Sequence, residues 1–199
     1  MLLEVSQLSC QKGERTLFEK LSFSVDAGQA VQVTGENGAG KTSLLRIVVG
    51  LSQAATGTVK ITKENAALIF QGHKAGLNDN LSALENLRFW CQQRDIQVDT
   101  SSIMQTLEHL GLGLLEDLPV KSLSAGQQRR VGLARLWLHQ QAKLWVLDEP
   151  FTALDVNLIA ALEEKMQSFV AQGGAILFTS HQAPQQLIPS HTVHLEYQL

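Results

Sequence analysis

Hydrophobic and polar positions change their period several times along the chain, and each change marks an element. Leu3-Glu4-Val5-Ser6-Gln7-Leu8 and Leu21-Ser22-Phe23-Ser24-Val25 alternate with period two, as half-buried antiparallel strands do. Asp26-Ala27-Gly28-Gln29 is a turn into a third strand, Ala30 to Thr34. Ser43 to Val49 then reads as a helix with Gly50 as its stop. Two more strands follow, Thr58 to Thr62 and Ala66 to Phe70, the second apolar throughout and so expected at the centre of a sheet. From Gln71 to Ser124 the pattern is helical. Ser82 and Glu85 have capping-box spacing ahead of a helix reaching about Arg94. Asp99 caps the next, which carries Ile103, Leu107 and Leu110 on one face and ends at Gly111. A long helix from Ser124 to about Gln140 precedes a buried strand, Leu144 to Leu147. Another helix, Asp155 to about Gln172, stops at Gly173-Gly174 ahead of a buried strand, Ala175 to Thr179, and Thr192 to Glu196 reads as a last edge strand. The whole predicts one α/β domain over residues 1–199. A mainly parallel core sheet carries an antiparallel β subdomain, with a helical subdomain inserted at about 72–140.

Charge and composition narrow the field. Lys plus Arg number 16 against 19 Asp plus Glu, a formal net charge of −3, which gives no electrostatic case for a nucleic-acid partner. Cys10 and Cys91 are far apart with no metal-ligand spacing, as suits a reducing cytosol. Neither a signal peptide nor a membrane-spanning run is expected, so any membrane role requires a partner.

The stretch Gly35-Glu36-Asn37-Gly38-Ala39-Gly40-Lys41-Thr42 joins a predicted strand to a predicted helix and fits the phosphate-binding loop of nucleotide hydrolases. Its glycines allow the backbone to curl with N–H groups inward, and the helix end adds a partial positive charge. Lys41 supplies a cation for the β- and γ-phosphates and Thr42 a hydroxyl for Mg²⁺, with Ser43 opening the helix beside them. Asp148 and Glu149 close a buried strand, the place where such sheets keep their ligands. Asp148 suits Mg²⁺ and Glu149 a base for the attacking water; alone, such a pair would read as a solvated strand end. Ser124 and Gln127 have capping-box spacing. They make a good helix start, and with Gly126 the same geometry offers N–H groups and a dipole to a γ-phosphate.

Gly35 to Thr42, Gln71, Leu123 to Gln127, Leu144 to Glu149, Ala153-Leu154-Asp155 and His181 resemble the ordered motif set of the ABC-type ATPases: Walker A, Q-loop, signature, Walker B, D-loop and switch histidine. The signature departs mildly, with Ala125 in place of a glycine. The resemblance implies ATP and Mg²⁺ as cofactors and a head-to-tail dimer with two ATP molecules between subunits. Ser124 and Gly126 of one subunit would touch the γ-phosphate held by Lys41 of the other. His181 would contact that phosphate, Asp155 would link the two sites, and Gln71 would sense Mg²⁺ and the water. The family's aromatic residue for adenine falls at about Lys12, where none stands. Base recognition is then weaker, or uses Lys12 or Arg15 as a cation over the ring.

Phe70 to Leu77, Leu81 to Trp90, Gly126 to Leu138 and Leu144 to Asp155 further resemble one subfamily, the ATP-binding subunits of the bacterial haem exporters of cytochrome c maturation. That likeness implies integral membrane partner subunits of the cytochrome c maturation complex and a peripheral place on the cytoplasmic face of the inner membrane. Direct haem binding is not expected, because there is no Cys-x-x-Cys-His and the histidines are isolated. The competing readings are the ATPase of another small exporter and a soluble ATPase acting on nucleic acid or ribosomes.

Overall fold

The N-terminal alternation folds into a hairpin longer than its pattern suggests. In the computed structural model, which describes residues 1–62, 67–181 and 184–196, β1 (Leu3–Lys12) and β2 (Arg15–Val25) pair antiparallel from Leu3↔Val25 through Cys10↔Phe18 to Lys12↔Arg15. Gln7 and Lys20 take positive φ, and the register of β1 slips between Val5 and Cys10. Such bulges shift which face a side chain points to, which is why the period-two reading stops at Leu8 and resumes at Leu21. β4 (Thr56–Ile61) pairs antiparallel on the other side of β1, giving the order β2-β1-β4.

The second sheet has the order β5-β6-β7-β3-β8, built from β3 (Ala30–Gly35), β5 (Leu68–Gln71), β6 (Leu144–Leu147), β7 (Ala175–Thr179) and β8 (His191–Leu195). β6–β7, β7–β3 and β3–β8 are parallel pairs. Every residue of β6 and β7 is buried, the pattern of interior strands covered on both faces. β8 lies at one edge, as its sequence predicts. β5 corrects the reading: it occupies the other edge rather than the centre, and Leu68 and Phe70 are only half-buried as they pack on the core. Ala66, expected in the same strand, lies outside the described residues.

The chain divides into two compact units. The first, Met1–Phe70, Ala142–Pro150 and Leu162–Leu199, holds both sheets and α1 (Lys41–Val48). Its core joins Leu3, Leu8, Val25, Val33, Leu44, Leu45, Val146 and Leu177. Trp145 stacks on Phe169 of α6 (Val156–Ala171) with ring centroids 3.8 Å apart.

The second unit comprises Gln71–Gln141 and Phe151–Ala161. α2 (Ala83–Gln92) starts with the expected capping box of Ser82 and Glu85, and α3 (Thr100–His109) with Asp99 as its cap. The helix expected to run unbroken from Ser124 is instead two pieces, α4 (Ala125–Leu133) and α5 (Arg135–Leu138). At Ala134 the ladder tightens, with the Trp137 N–H bonded to the Ala134 carbonyl, an i→i−3 closure. Beyond it, Arg135 turns its guanidinium onto the carbonyls of Ala75 and Gly76. Among the described residues no helix is long and apolar enough to cross a membrane.

Candidate active site

The C-terminal ends of β3, β6 and β7 bring one set of polar groups together in the first unit. β3 ends at Gly35, and Glu36, Asn37, Gly38, Ala39 and Gly40 lead to α1. Two of the glycines are obligatory. A Cβ on Gly35 would stand 2.5 Å from the Leu195 carbonyl oxygen of the neighbouring β8, and its φ is 141°. Gly40 caps α1 at φ 100°, where a Cβ would press on Leu17 and Phe18. Lys41 is buried and donates to the carbonyls of Gly35 and Glu36 at 2.7 and 3.1 Å. Its ammonium is thus folded over the loop that would carry the phosphates.

Beside Lys41, the Thr42 hydroxyl donates to Asp148 Oδ2 at 2.9 Å. Asp148 is almost fully buried at the end of β6, and its Oδ1 accepts from the Thr179 hydroxyl at 2.8 Å. The same hydroxyl accepts the Glu149 N–H at 2.8 Å. Glu149 takes φ 50°, the left-handed region that side chains with a Cβ rarely occupy. Its carboxylate receives the His181 N–H at 3.2 Å and lies 3.4 Å from His181 Nε2. Metal-type, base-type and histidine candidates therefore form one connected chain, Thr42–Asp148–Thr179–Glu149–His181. Ser43 follows Thr42 in the first turn of α1.

The hairpin brings Arg15 to the loop, where its guanidinium donates to the Gly38 carbonyl at 3.5 Å. Lys12 is exposed and sits opposite Arg15 in register. Phe18, the nearby aromatic, is 4% exposed and faces Gly40. It is a packing residue under the loop.

The remaining candidates belong to the helical unit. Gln71 is buried at the end of β5, and its Oε1 has no hydrogen-bond donor among the described residues. Gly132 of α4 faces its amide closely, since a Cβ there would lie 2.9 Å from Gln71 Nε2. Ser124 and Gln127 form the capping box of α4, the Ser124 hydroxyl taking the Gln127 N–H and the Gln127 amide the Ser124 N–H. Gly126 lies in this first turn, close to the Ala153 carbonyl. Asp155 pairs with Arg130 at 2.8 Å and accepts the Leu158 N–H at the start of α6.

Sequence reasoning missed three residues. Thr179 is the hydroxyl that closes an otherwise apolar strand two residues before His181, a signal that was present. Arg129 and Arg135 are buried, and their guanidinium groups donate to the carbonyls of Gly72 and His73, and of Ala75 and Gly76, pinning the segment after Gln71. Burial, and then the nearby Arg94 charge, lowers the Arg135 pKa to about 10. The same two causes push the imidazole of His139 down. Arg94 and Arg135 both lie over the Trp90 ring, at 4.6 and 5.5 Å from its centroid.

The ABC transporter family model matches residues 18–152. The cytochrome c biogenesis ATP-binding export protein CcmA of Escherichia coli O157:H7 is 48% identical over 91% of this chain and 89% of its own length. That of Escherichia coli K12 is 47% identical with the same coverage. Among solved structures, an ATP binding subunit of an ABC transporter superposes with a TM-score of 0.87 at 24% identity, over all of this chain and 89% of the other. A bacterial ABC transporter cassette solved as a dimer gives 0.85 at 19% identity, over 98% and 94%. These last two show the shared fold, a parallel sheet with an antiparallel sheet and helices. The chain belongs to the ABC transporter family, among the CcmA-type ATP-binding proteins of cytochrome c biogenesis, and is an ATPase whose hydrolysis is coupled to transport.

Proposed function

We propose that the connected chain Thr42–Asp148–Thr179–Glu149–His181 is the hydrolytic half-site of this ATPase, and it is the observation on which the reading rests. Gly35, Glu36, Asn37, Gly38, Ala39 and Gly40 wrap the phosphates with backbone N–H groups, and Lys41 neutralises the β- and γ-oxygens. The Thr42 hydroxyl and Asp148 carboxylate are two hard oxygen donors 2.9 Å apart, a set that fits Mg²⁺ completed by phosphate and water oxygens. Bound there, Mg²⁺ supplies charge neutralisation on the phosphate oxygens. Glu149 takes a proton from the water as its oxygen attacks the γ-phosphorus and the bond to the β-phosphate oxygen breaks, leaving ADP and phosphate. His181, already bonded to the Glu149 carboxylate through its backbone N–H, orients that carboxylate, and its imidazole faces the γ-phosphate under attack.

Ser124, Gly126 and Gln127 complete the site of a second copy, with Asp155 linking the two sites and Gln71 reporting nucleotide state to a partner. Those partners are integral membrane subunits, which hold the chain on the cytoplasmic face of the inner membrane. The near-half identity to CcmA proteins supports a place in cytochrome c biogenesis, with haem as the cargo the membrane subunits handle. Arg15 beside the loop offers a cation to the adenine face in place of an aromatic.

The test is copurification and turnover in membranes expressing the chain with the membrane-protein genes adjacent to its own. The chain should copurify with those proteins and hydrolyse ATP faster in the complex. In the same complex Ser124→Arg should remove hydrolysis while the isolated variant binds ATP normally. Loss of ATP binding by the isolated Ser124→Arg chain would place Ser124 in its own site and contradict the two-copy arrangement.

A further inference from the structure

Resting on the reading of Asp148 and Glu149 above, we propose that Thr179 is a positioning residue for hydrolysis. Its one hydroxyl sets both the orientation of the Asp148 carboxylate and the backbone of Glu149. Thr179 is fully buried as the last residue of β7, after four apolar residues. A hydroxyl has one proton and two lone pairs. Thr179 uses its proton on Asp148 Oδ1 and a lone pair on the Glu149 N–H, both at 2.8 Å. With Thr42 on Oδ2, the Asp148 carboxylate is held at both oxygens and its plane is fixed.

The bond to Glu149 has a second consequence. Glu149 sits at φ 50° without being glycine, a backbone state that persists only where surrounding contacts over-determine it. The Thr179 hydroxyl accepts the N–H of this very residue. β-Branching restricts the rotamer of Thr179, so the acceptor is itself fixed by the strand. The side chain of the base therefore leaves a backbone whose direction is set from β7, the strand that leads two residues later to His181. Base and histidine are aimed from one anchor, and their mutual contacts at 3.2 and 3.4 Å follow from it.

Thr179→Val keeps the branched shape and removes the hydroxyl; Thr179→Ser keeps the hydroxyl and removes a methyl. For Thr179→Val we expect kcat to fall about 10- to 100-fold, the size of leaving a buried donor and acceptor without their partner. ATP affinity should stay within about threefold, because the loop and Lys41 are untouched. In the nucleotide-free protein, the Glu149 amide should exchange its hydrogen roughly tenfold faster by NMR. Thr179→Ser should recover most of both losses. If Thr179→Val does not fold, Thr179→Ser against Thr179→Ala gives the same contrast of hydroxyl kept and hydroxyl lost. Wild-type kcat and amide exchange without the hydroxyl, or no recovery with serine, would overturn the proposal. An active Glu149→Gln enzyme would remove the base assignment itself, whereas an inactive one beside a fully active Thr179→Val enzyme would remove only the role of Thr179.

Discussion

In the sheet-bearing unit the candidate groups stand at or just beyond the ends of three parallel strands, and their side chains bond mainly to one another. Asp148 and Glu149 follow directly from β6, and Lys41 and Thr42 open α1 after the five-residue loop that leaves β3. In the helical unit no sheet backs the segment after Gln71. There Arg129 and Arg135, both buried, spend their donors on four backbone carbonyls between Gly72 and Gly76. The residues that carry them are half-buried or exposed, so it is the long buried cationic side chains, reaching outward, that tie this segment to the helices. The two regions are therefore fragile in different ways. A change in the first region should alter chemistry with little effect on the fold, and a change in the second should alter the fold first.

Lys41→Ala gives the largest expected effect on binding and the sharpest form of this contrast. It removes the cation over the phosphate loop, so ATP binding should be lost, by about 100-fold or more in affinity if the charged contacts to phosphate carry their usual weight. The melting temperature without nucleotide should hardly change. A large fall in stability would show that the loop is held by Lys41 and break the comparison at its first term.

Arg135→Leu should do the reverse. The carbonyls of Ala75 and Gly76 lose their donor, for a cost of about 1–3 kcal/mol in denaturant unfolding. The loss is moderated because burying this guanidinium is itself unfavourable, as its pKa of about 10 records. ATP affinity of the isolated chain should remain close to normal. Unchanged stability would mean that the segment after Gln71 is held by its other bonds.

His139 gives the smallest effect. Burial first, and Arg94 second, lower its pKa below the ordinary 6.5, so the folded protein resists protonating it. The stability this contributes is present above pH 6.5 and is lost as pH falls below that value through the lower pKa of the folded protein, because the unfolded chain takes up the proton first. Between about pH 7 and pH 5, His139→Gln should therefore flatten the decline in melting temperature. Parallel pH profiles for the two proteins would exclude His139 as a source of the decline.

How much of this was legible in the sequence follows the same division. The phosphate loop and the Asp148-Glu149 pair are readable because each is a short contiguous run whose residue types match one chemistry. The capping boxes at Ser82 and Ser124 are readable for the same reason. Thr179 meets Asp148 from 31 positions away, and Arg135 meets Ala75 from 60; neither distance leaves a local pattern. The β1–β2 hairpin was half legible, since bulges near Gln7 and Lys20 break the alternation by which strands are recognised. β5 was misplaced because an apolar run reports burial and not position: Leu68 and Phe70 satisfy it by packing at the sheet edge. The break at Ala134 was hidden because no proline stands there to announce it.

The most direct test of the central claim, that Glu149 is the base of an ATP-hydrolysing site, is single-turnover hydrolysis by Glu149→Gln with ATP binding measured on the same samples. The substitution keeps the shape and removes the proton-accepting carboxylate. ATP should bind with normal affinity while the hydrolysis rate falls by roughly 10²- to 10⁴-fold, the usual contribution of a positioned base, and the ATP-bound protein should accumulate as a dimer. Hydrolysis at the wild-type rate would show that another group accepts the proton and would contradict the account.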